Sequence, residues 1–97
     1  MNTEKIAELI TRRRRQLLVH SIIYYKFSDN LISDSTWSEW ALELEQLQEQ
    51  YPDIAAKCPR AKEFSDFDHS TGYSLPLGDA RATTTALQLI RHRDRQY

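Results

Sequence analysis

A chain of 97 residues with 40% hydrophobic and 28% charged residues can form one domain with a modest core. Its formal net charge of -1 suits a folded globular domain and not a disordered tail. No apolar run approaches the roughly 18 residues of a membrane span, and the N-terminus lacks the long apolar region of a signal peptide. The one cysteine, Cys58, cannot form an internal disulfide, so we expect a cytoplasmic protein.

The first predicted helix begins at a cap at Asn2 or Thr3 and ends near Lys26 or Phe27. Its apolar residues recur at helical spacing on one face. They are Ile6, Leu9, Ile10, Leu17 and Tyr24. This stripe predicts a helix that buries one side against other elements of the domain.

Four successive arginines at residues 12–15 make the first helix basic, whereas residues 33–53 contain six acids and no lysine or arginine. Consecutive helical residues point around the axis, so these arginines do not form one patch. Solvation and pairing with the acidic helix account for most of them. Arg13 projects from the apolar stripe, where it needs a carboxylate or a ligand anion. Arg13 or Arg14 is therefore our predicted phosphate contact.

A polar connection at residues 28–30 precedes the second predicted helix, for which Ser33 is the cap. Pro52 stops this helix near Gln50, because the residue before a proline is pushed out of helical geometry. Its apolar stripe consists of Trp37, Trp40, Ala41, Leu44, Leu47 and Tyr51. The two stripes cover each other and predict an antiparallel helical hairpin over residues 1–52.

Residues 53–78 are predicted to form a short helix, broken at Pro59, and an ordered loop over residues 64–78. The loop carries more apolar surface than a free linker would expose, namely Phe64, Phe67, Tyr73, Leu75 and Leu77. Asp79 caps a last helix over residues 79–97. The stripe of that helix is Ala82, Ala86, Leu89 and Ile90. The predicted fold is all-α: one domain with a hairpin, an ordered loop and a C-terminal helix packed on it.

Several residues of the hairpin carry a family resemblance. They are Tyr24-Tyr25, Ile32-Ser33-Asp34, Glu43-Leu44, Leu47 and Tyr51-Pro52. Their spacing resembles, without a gap, that of the N-terminal domain of bacterial NAD-dependent DNA ligases. In that family the helical hairpin is not the catalytic nucleotidyltransferase. It closes over NAD and grips the nicotinamide mononucleotide half by ring stacking and by carboxylates.

The resemblance implies roles for individual residues. Tyr24 matches a ring that packs on nicotinamide, and Tyr25 matches the neighbouring aromatic or histidine contact. Asp34 matches a family carboxylate of that site, and His20 matches a frequent histidine one turn before Tyr24. The resemblance thus predicts a nucleotide site at the turn end of the hairpin, with NAD or nicotinamide mononucleotide as the ligand.

The chain also departs from the ligase pattern. Trp37 stands at a family tyrosine, which keeps the stacking ring and loses the phenol, and Ser38 stands at an aspartate important for NAD use. The K-x-D-G nucleophile motif, the zinc cluster and the DNA-binding modules are absent from these 97 residues, so we expect no ligase activity from the chain alone. Its second half resembles instead the tail of short ligase-related proteins encoded by phages and prophages.

The rings of Tyr24, Tyr25, Trp37 and Trp40 allow two interpretations. If they line an open slot, they can stack on a flat heterocycle. If they form the core of the hairpin, they have only a packing role, which helical spacing alone favours. The resemblance supports the slot for Tyr24 and Trp37, whereas Trp40 and Tyr51 are predicted core residues.

A second candidate site lies in the loop. Its polar residues are Asp66, Asp68, His69, Ser70 and Thr71, followed by Tyr73. The D-x-D-H order can hold Mg²⁺ or Ca²⁺, but a metal site needs further ligands from elsewhere, so no metal is assigned. The residues can also form a turn that bonds its own backbone, with Gly72 at positive φ. In a third interpretation the loop folds over the aromatic slot and supplies polar contacts to a ligand or partner.

Three functions remain open from the sequence. The first is a small non-catalytic phage- or prophage-type protein that holds a nucleotide between Tyr24, Tyr25 and Trp37, with Asp34 on the ribose. The second is an interaction module that keeps only the fold and docks a host or viral protein, or a second copy as a homodimer. The third is a subunit that regulates a nucleotidyltransferase in trans. The acidic second helix and the lack of a recognition motif disfavour direct DNA binding.

Overall fold

The computed structural model describes residues 2–95, which form four helices and no strand. They are α1 (Thr3–Phe27), α2 (Asp34–Gln50), α3 (Pro52–Lys57) and α4 (Ala80–Asp94). Helix α1 is central and packs against the other three. The predicted all-α fold with a hairpin, an ordered loop and a C-terminal helix is confirmed; its limits at residues 1 and 97 lie outside the described residues. No described helix is long and apolar enough to cross a membrane.

The helices begin and end at local signals in the sequence. Asn2, Ser33 and Asp79 cap α1, α2 and α4, and their side chains accept backbone N–H groups at 2.7, 3.1 and 2.9 Å. Helix α1 ends at Phe27, and its C-cap Ser28 takes the left-handed conformation at φ 50°. Pro52 is the first residue of α3, where its missing N–H costs no hydrogen bond. The three N-caps and the end of α2 at Gln50 agree with the sequence-based prediction, whereas α3 begins one residue before the predicted segment 53–78.

The core lies along the buried face of α1. Its fully buried large side chains are Ile10, Leu17, Leu18, Ile22, Ile23, Leu44 and Phe64. Burying one such side chain stabilises the fold by about 1.5–3 kcal/mol relative to leaving it exposed. The small residues Ala82 and Ala86 are the buried positions of α4. Phe64 and Leu75 bring the loop into this core, which confirms that residues 64–78 are ordered and lie across the hairpin.

Two residues of the predicted apolar stripes are exposed. Tyr24 is 54% exposed, although Ile22 and Ile23 beside it are fully buried. Leu89 is also exposed, because only Ala82, Ala86 and the partly buried Ile90 of its stripe pack on the core. The stripe predictions are therefore wrong at these two positions. Because Tyr24 is exposed, its ring is available at the surface.

One charged side chain, Arg14, lies inside the domain with 2% exposure. Its guanidinium donates to the backbone oxygens of Ala55, Cys58 and Pro59 at 3.0, 3.2 and 2.9 Å. It also donates twice to Gln48 Oε1, at 2.9 and 2.8 Å. These bonds use all five N–H groups of a guanidinium. They tie α3 and the turn after it to α1 and α2, and burial lowers the pKa of Arg14.

Helix α4 is tied to the connection between α1 and α2 by one ion pair. Arg93 donates to both carboxylate oxygens of Asp29, at 2.9 and 2.7 Å. Such a two-point contact fixes direction as well as distance. The hydrogen bonds from Arg93 lower the pKa of Asp29 to about 2. The adjoining connection, at residues 30–33, is thereby held beside the end of α1.

Candidate ligand-binding site

An open cavity of about 230 Å³ lies at the turn end of the hairpin. Its walls come from the end of α1, the connection at residues 30–33, the first turns of α2, and the loop at Ser70 and Gly72. The five residues that the ligase resemblance selects all line it: His20, Tyr24, Tyr25, Asp34 and Trp37. The fold therefore brings together residues that are up to 17 positions apart, because the hairpin reverses the chain between them.

The aromatic wall of the cavity, formed by Tyr24, Tyr25 and Trp37, is partly exposed to solvent. The rings of Tyr24 and Tyr25 meet edge to face, with their centroids 4.9 Å apart. Tyr24 is 54% and Tyr25 37% exposed, so the core interpretation is wrong for these two rings. Trp37 and Trp40 are both half-buried and both pack against the core, as predicted for Trp40, but of the two only Trp37 lines the cavity. A partly open set of rings can stack on a flat heterocycle, which a closed core cannot do.

The loop reaches the cavity at Gly72. A Cβ on this residue would lie 2.2 Å from Ser21 Oγ and 3.0 Å from Trp37 Cζ2, so the backbone can approach α1 this closely only as glycine. The predicted positive φ at Gly72 is wrong, since neither glycine has a positive φ. Glycine is needed at position 72 because it has no side chain, which allows the loop to lie close to α1.

The polar residues around Asp68 hold the loop in shape. One carboxylate oxygen of Asp68 accepts the backbone N–H of Ser70 at 2.7 Å and also the Ser70 hydroxyl. These bonds lower the pKa of Asp68 and confirm the interpretation of a turn that bonds its own backbone. Asp66 is exposed and does not line the cavity. Within residues 2–95 no three His, Cys, Asp or Glu side chains are arranged to hold a metal ion.

Two further contacts fasten the loop to the helices. Glu45 Oε2 lies 2.7 Å from the backbone nitrogen of His69 and 2.8 Å from its Nδ1, and these hydrogen bonds lower the pKa of Glu45. The hydroxyl oxygens of Thr71 and Tyr25 are 3.1 Å apart. Tyr73 is exposed, with its ring centroid 5.3 Å from that of Tyr25. The loop thus folds over the aromatic slot, as the third interpretation predicts; any contact with a ligand stays a prediction.

Two buried polar atoms at the cavity have no hydrogen-bond partner within the described residues. They are His20 Nδ1 and Ser21 Oγ. Burial lowers the pKa of His20, which favours the neutral imidazole. An unsatisfied buried polar group costs about 1–3 kcal/mol and is rare in folded proteins. The sequence patterns do not select Ser21, whose one signal is that of a polar residue within the apolar run from Leu17 to Ile23.

The two arginines predicted to contact a phosphate lie outside the cavity. Arg13 donates to Glu43 at 2.6 Å and packs over the Trp40 ring at 5.1 Å, so the carboxylate that it needs comes from the acidic helix. Arg14, and not Arg13, is the fully buried arginine, and its donors are all occupied. Among residues 2–95, Asp34 is the one Asp, Glu, Lys or Arg residue that lines the cavity.

No protein-family model, curated protein or solved structure matches this chain. The residues and the geometry of the cavity are therefore the basis for assigning a function.

Proposed function

We propose that this chain is a small non-catalytic protein that binds a nicotinamide-bearing mononucleotide, or a similar nucleotide-like molecule, in the cavity at the turn end of the hairpin. The observation that supports it is the common location of His20, Tyr24, Tyr25, Asp34 and Trp37. The ligase resemblance selects these residues without reference to the fold, and they line one cavity. The resemblance of the second half suggests a phage- or prophage-type accessory protein of the cytoplasm.

The chemistry of the lining favours a flat and positively charged ring. Faces of tyrosine and tryptophan attract cations as well as flat heterocycles. Asp34 adds a carboxylate to the same wall, where it can accept hydrogen bonds from ribose hydroxyls or attract a pyridinium ring. A nicotinamide riboside combines such a ring with such hydroxyls.

The size and charge of the cavity favour one half of NAD over the whole. Its volume of about 230 Å³ is below the roughly 300–1,000 Å³ of typical ligand sites. No lysine or arginine among residues 2–95 lines it, so a phosphate would extend into solvent without a cationic partner. We therefore expect the ring and the ribose to supply most of the binding energy.

The test is a titration with nicotinamide mononucleotide, NAD, ADP-ribose and ATP, followed by tryptophan emission. We expect saturable quenching by nicotinamide mononucleotide and a much weaker response to ADP-ribose, which lacks the ring. A Trp37→Ala variant should keep a cooperative melting transition and lose the quenching. A Trp40→Phe variant should keep the quenching, because Trp40 does not line the cavity. A flat response from the folded wild type to all four compounds would overturn the proposal.

A second candidate function, docking of a protein partner, is supported by the exposed rings. Tyr25 lies between Tyr24 and Tyr73, with ring centroids at 4.9 and 5.3 Å. All three rings reach solvent, and exposed tyrosines are frequent anchors of interfaces. Binding of a defined partner that Tyr73→Ala abolishes, with no response to nucleotides, would favour this function over the first.

A further inference from the structure

Two helices of this domain present outer faces of opposite charge. Helix α2 contains five acids and no lysine or arginine, whereas α4 contains three arginines and one acid. Both helices pack on α1, and within the described residues they do not contact each other. The two sets of charges therefore lie on separate surfaces of one copy of the protein.

Part of this charge is not used inside the domain. Glu43 and Glu45 of α2 and Arg93 of α4 bond to side chains of other elements. Four further charged residues of the two helices are exposed and take part in no ion pair within residues 2–95. They are Glu39, Glu49, Arg81 and Arg91. These four side chains can pair with charges of another molecule.

Four exposed residues on each face have the same spacing along the helix. On α2 they are Glu39, Leu42, Gln46 and Glu49, and on α4 they are Arg81, Thr84, Gln88 and Arg91. Both sets follow the order i, i+3, i+7, i+10, which keeps them on one side of a helix. The two charged ends of each set are ten positions, or about 15 Å, apart along the axis. When α2 of one copy lies along α4 of another, in either direction, both glutamates therefore face an arginine at once.

The middle of the two faces also fits such a contact. Leu42 is 41% exposed and lies between Glu39 and Glu49. It would face Gln88 or Thr84 according to the direction of the second helix, and both of these side chains are uncharged and carry methylene or methyl groups. The formal net charge of -1 is close to zero, so two copies do not repel each other strongly.

We propose that this chain associates with further copies of itself, through the α2 face of one copy and the α4 face of the next. The inference goes beyond the proposed function, because none of the eight residues of the two faces lines the cavity. Every copy carries both faces, so the contact is head-to-tail and can be repeated. Two helix faces about 15 Å long form less than a standard interface, so the association is weak and reversible.

The experiment is sedimentation equilibrium of the full chain at protein concentrations up to about 1 mM. We expect the average mass to rise with concentration in about 50 mM salt, and this rise to be lost in about 0.5 M salt, which screens exposed charges.

Charge reversal then tests the two faces separately. The acid-face variant carries Glu39→Lys and Glu49→Lys, and the base-face variant carries Arg81→Glu and Arg91→Glu. Each variant alone should associate at least about tenfold more weakly than wild type, because like charges then meet. An equal mixture of the two should associate again, because every contact between unlike copies then joins opposite charges. Glu4→Lys with Glu8→Lys makes the same charge change on α1, away from both faces, and should keep the association.

Several outcomes would overturn the inference. They are a wild type that stays monomeric in low salt, an association that salt does not weaken, and a mixture of the two variants that does not associate. The variants should melt close to wild type, because the changed sites are exposed. If one of them does not fold, the salt dependence of the wild type decides. Tyr73→Ala should leave the association unchanged, and a loss in that variant would mean that the copies meet at the exposed rings instead.

Discussion

Arg14 and Ser21 lie on the same helix, about two turns apart, and each is 2% exposed. All five N–H groups of Arg14 are bonded, to three backbone oxygens and to Gln48. The hydroxyl of Ser21 has no partner within residues 2–95. Equal burial thus accompanies opposite outcomes. The protein completes the hydrogen bonds of one end of its core and leaves those of the other end open beside a cavity.

The difference comes from the segments that cover the two ends. Residues 55–59 direct three carbonyl oxygens at Arg14, so they form a shell built for that side chain. The loop at Gly72 approaches Ser21 closely but brings it no partner. Burial alone therefore does not distinguish a structural polar group from a binding one. The two are distinguished by how many hydrogen bonds the polar group makes within the chain.

The largest loss of stability is expected at Arg14, whose N–H groups are all hydrogen-bonded. Arg14→Met should destabilise the fold by about 3–5 kcal/mol, because it leaves the oxygens around the guanidinium without donors. Arg15→Met is the matched control, since Arg15 is the exposed neighbour, and it should change stability by no more than about 0.5 kcal/mol. Denaturant unfolding measures both. Equal losses in the two variants would remove the contrast between Arg14 and the surface arginines.

A smaller effect is expected where the loop meets α1. Gly72→Ala should cost about 1–3 kcal/mol, because its Cβ would meet Ser21 Oγ and Trp37, and it should also abolish ligand binding. Gly78→Ala is the control, since nothing lies within 4 Å of its Cβ position, and it should be neutral or slightly stabilising. Ser21→Ala in the Gly72→Ala background should recover part of the loss, because it removes the nearest atom. If thermal melts show no recovery, the Cβ at position 72 clashes with atoms other than Ser21 Oγ.

The smallest effect is expected at the contact between Glu45 and His69. Hydrogen bonds from His69 lower the pKa of Glu45, so the carboxylate stabilises the fold above its ordinary pKa of 4.5, and this contribution is lost as the pH falls below that value. Wild type should therefore melt slightly above Glu45→Gln at neutral pH, and the difference should shrink in acid. Glu49→Gln makes the same charge change at an exposed site of α2 and should show no such pattern. A difference that does not vary with pH would mean that the bond does not form in solution.

The local part of the fold could be predicted from the sequence. The caps at Asn2, Ser33 and Asp79 and the stop before Pro52 depend on side chains within a few positions of each helix end. The meeting of the residues that line the aromatic wall could also be predicted, because a hairpin turn brings flanking residues together. These predictions needed only helical spacing and one reversal of the chain.

The non-local part could not be predicted. Arg13 was the expected inward arginine, but the carbonyl oxygens that enclose Arg14 come from residues more than 40 positions away. Ser21 could not be selected, because an apolar pattern gives a lone serine no weight. Gly72 was expected for its backbone freedom, whereas its reason is a close approach between the loop and α1. Each error concerns a contact between segments that are distant in the sequence.

The ion pair between Asp29 and Arg93 has a consequence for the order of events during synthesis. The two residues are 64 positions apart, which corresponds to roughly 3–13 seconds of translation. Because Trp37 is added before the loop residues 70–72 and before Arg93, we expect a nascent hairpin to expose its tyrosines and Trp37 until those later segments follow. We expect the cavity to reach its final shape only after Arg93 has been added, although the residues of its aromatic wall lie within the first 37 positions.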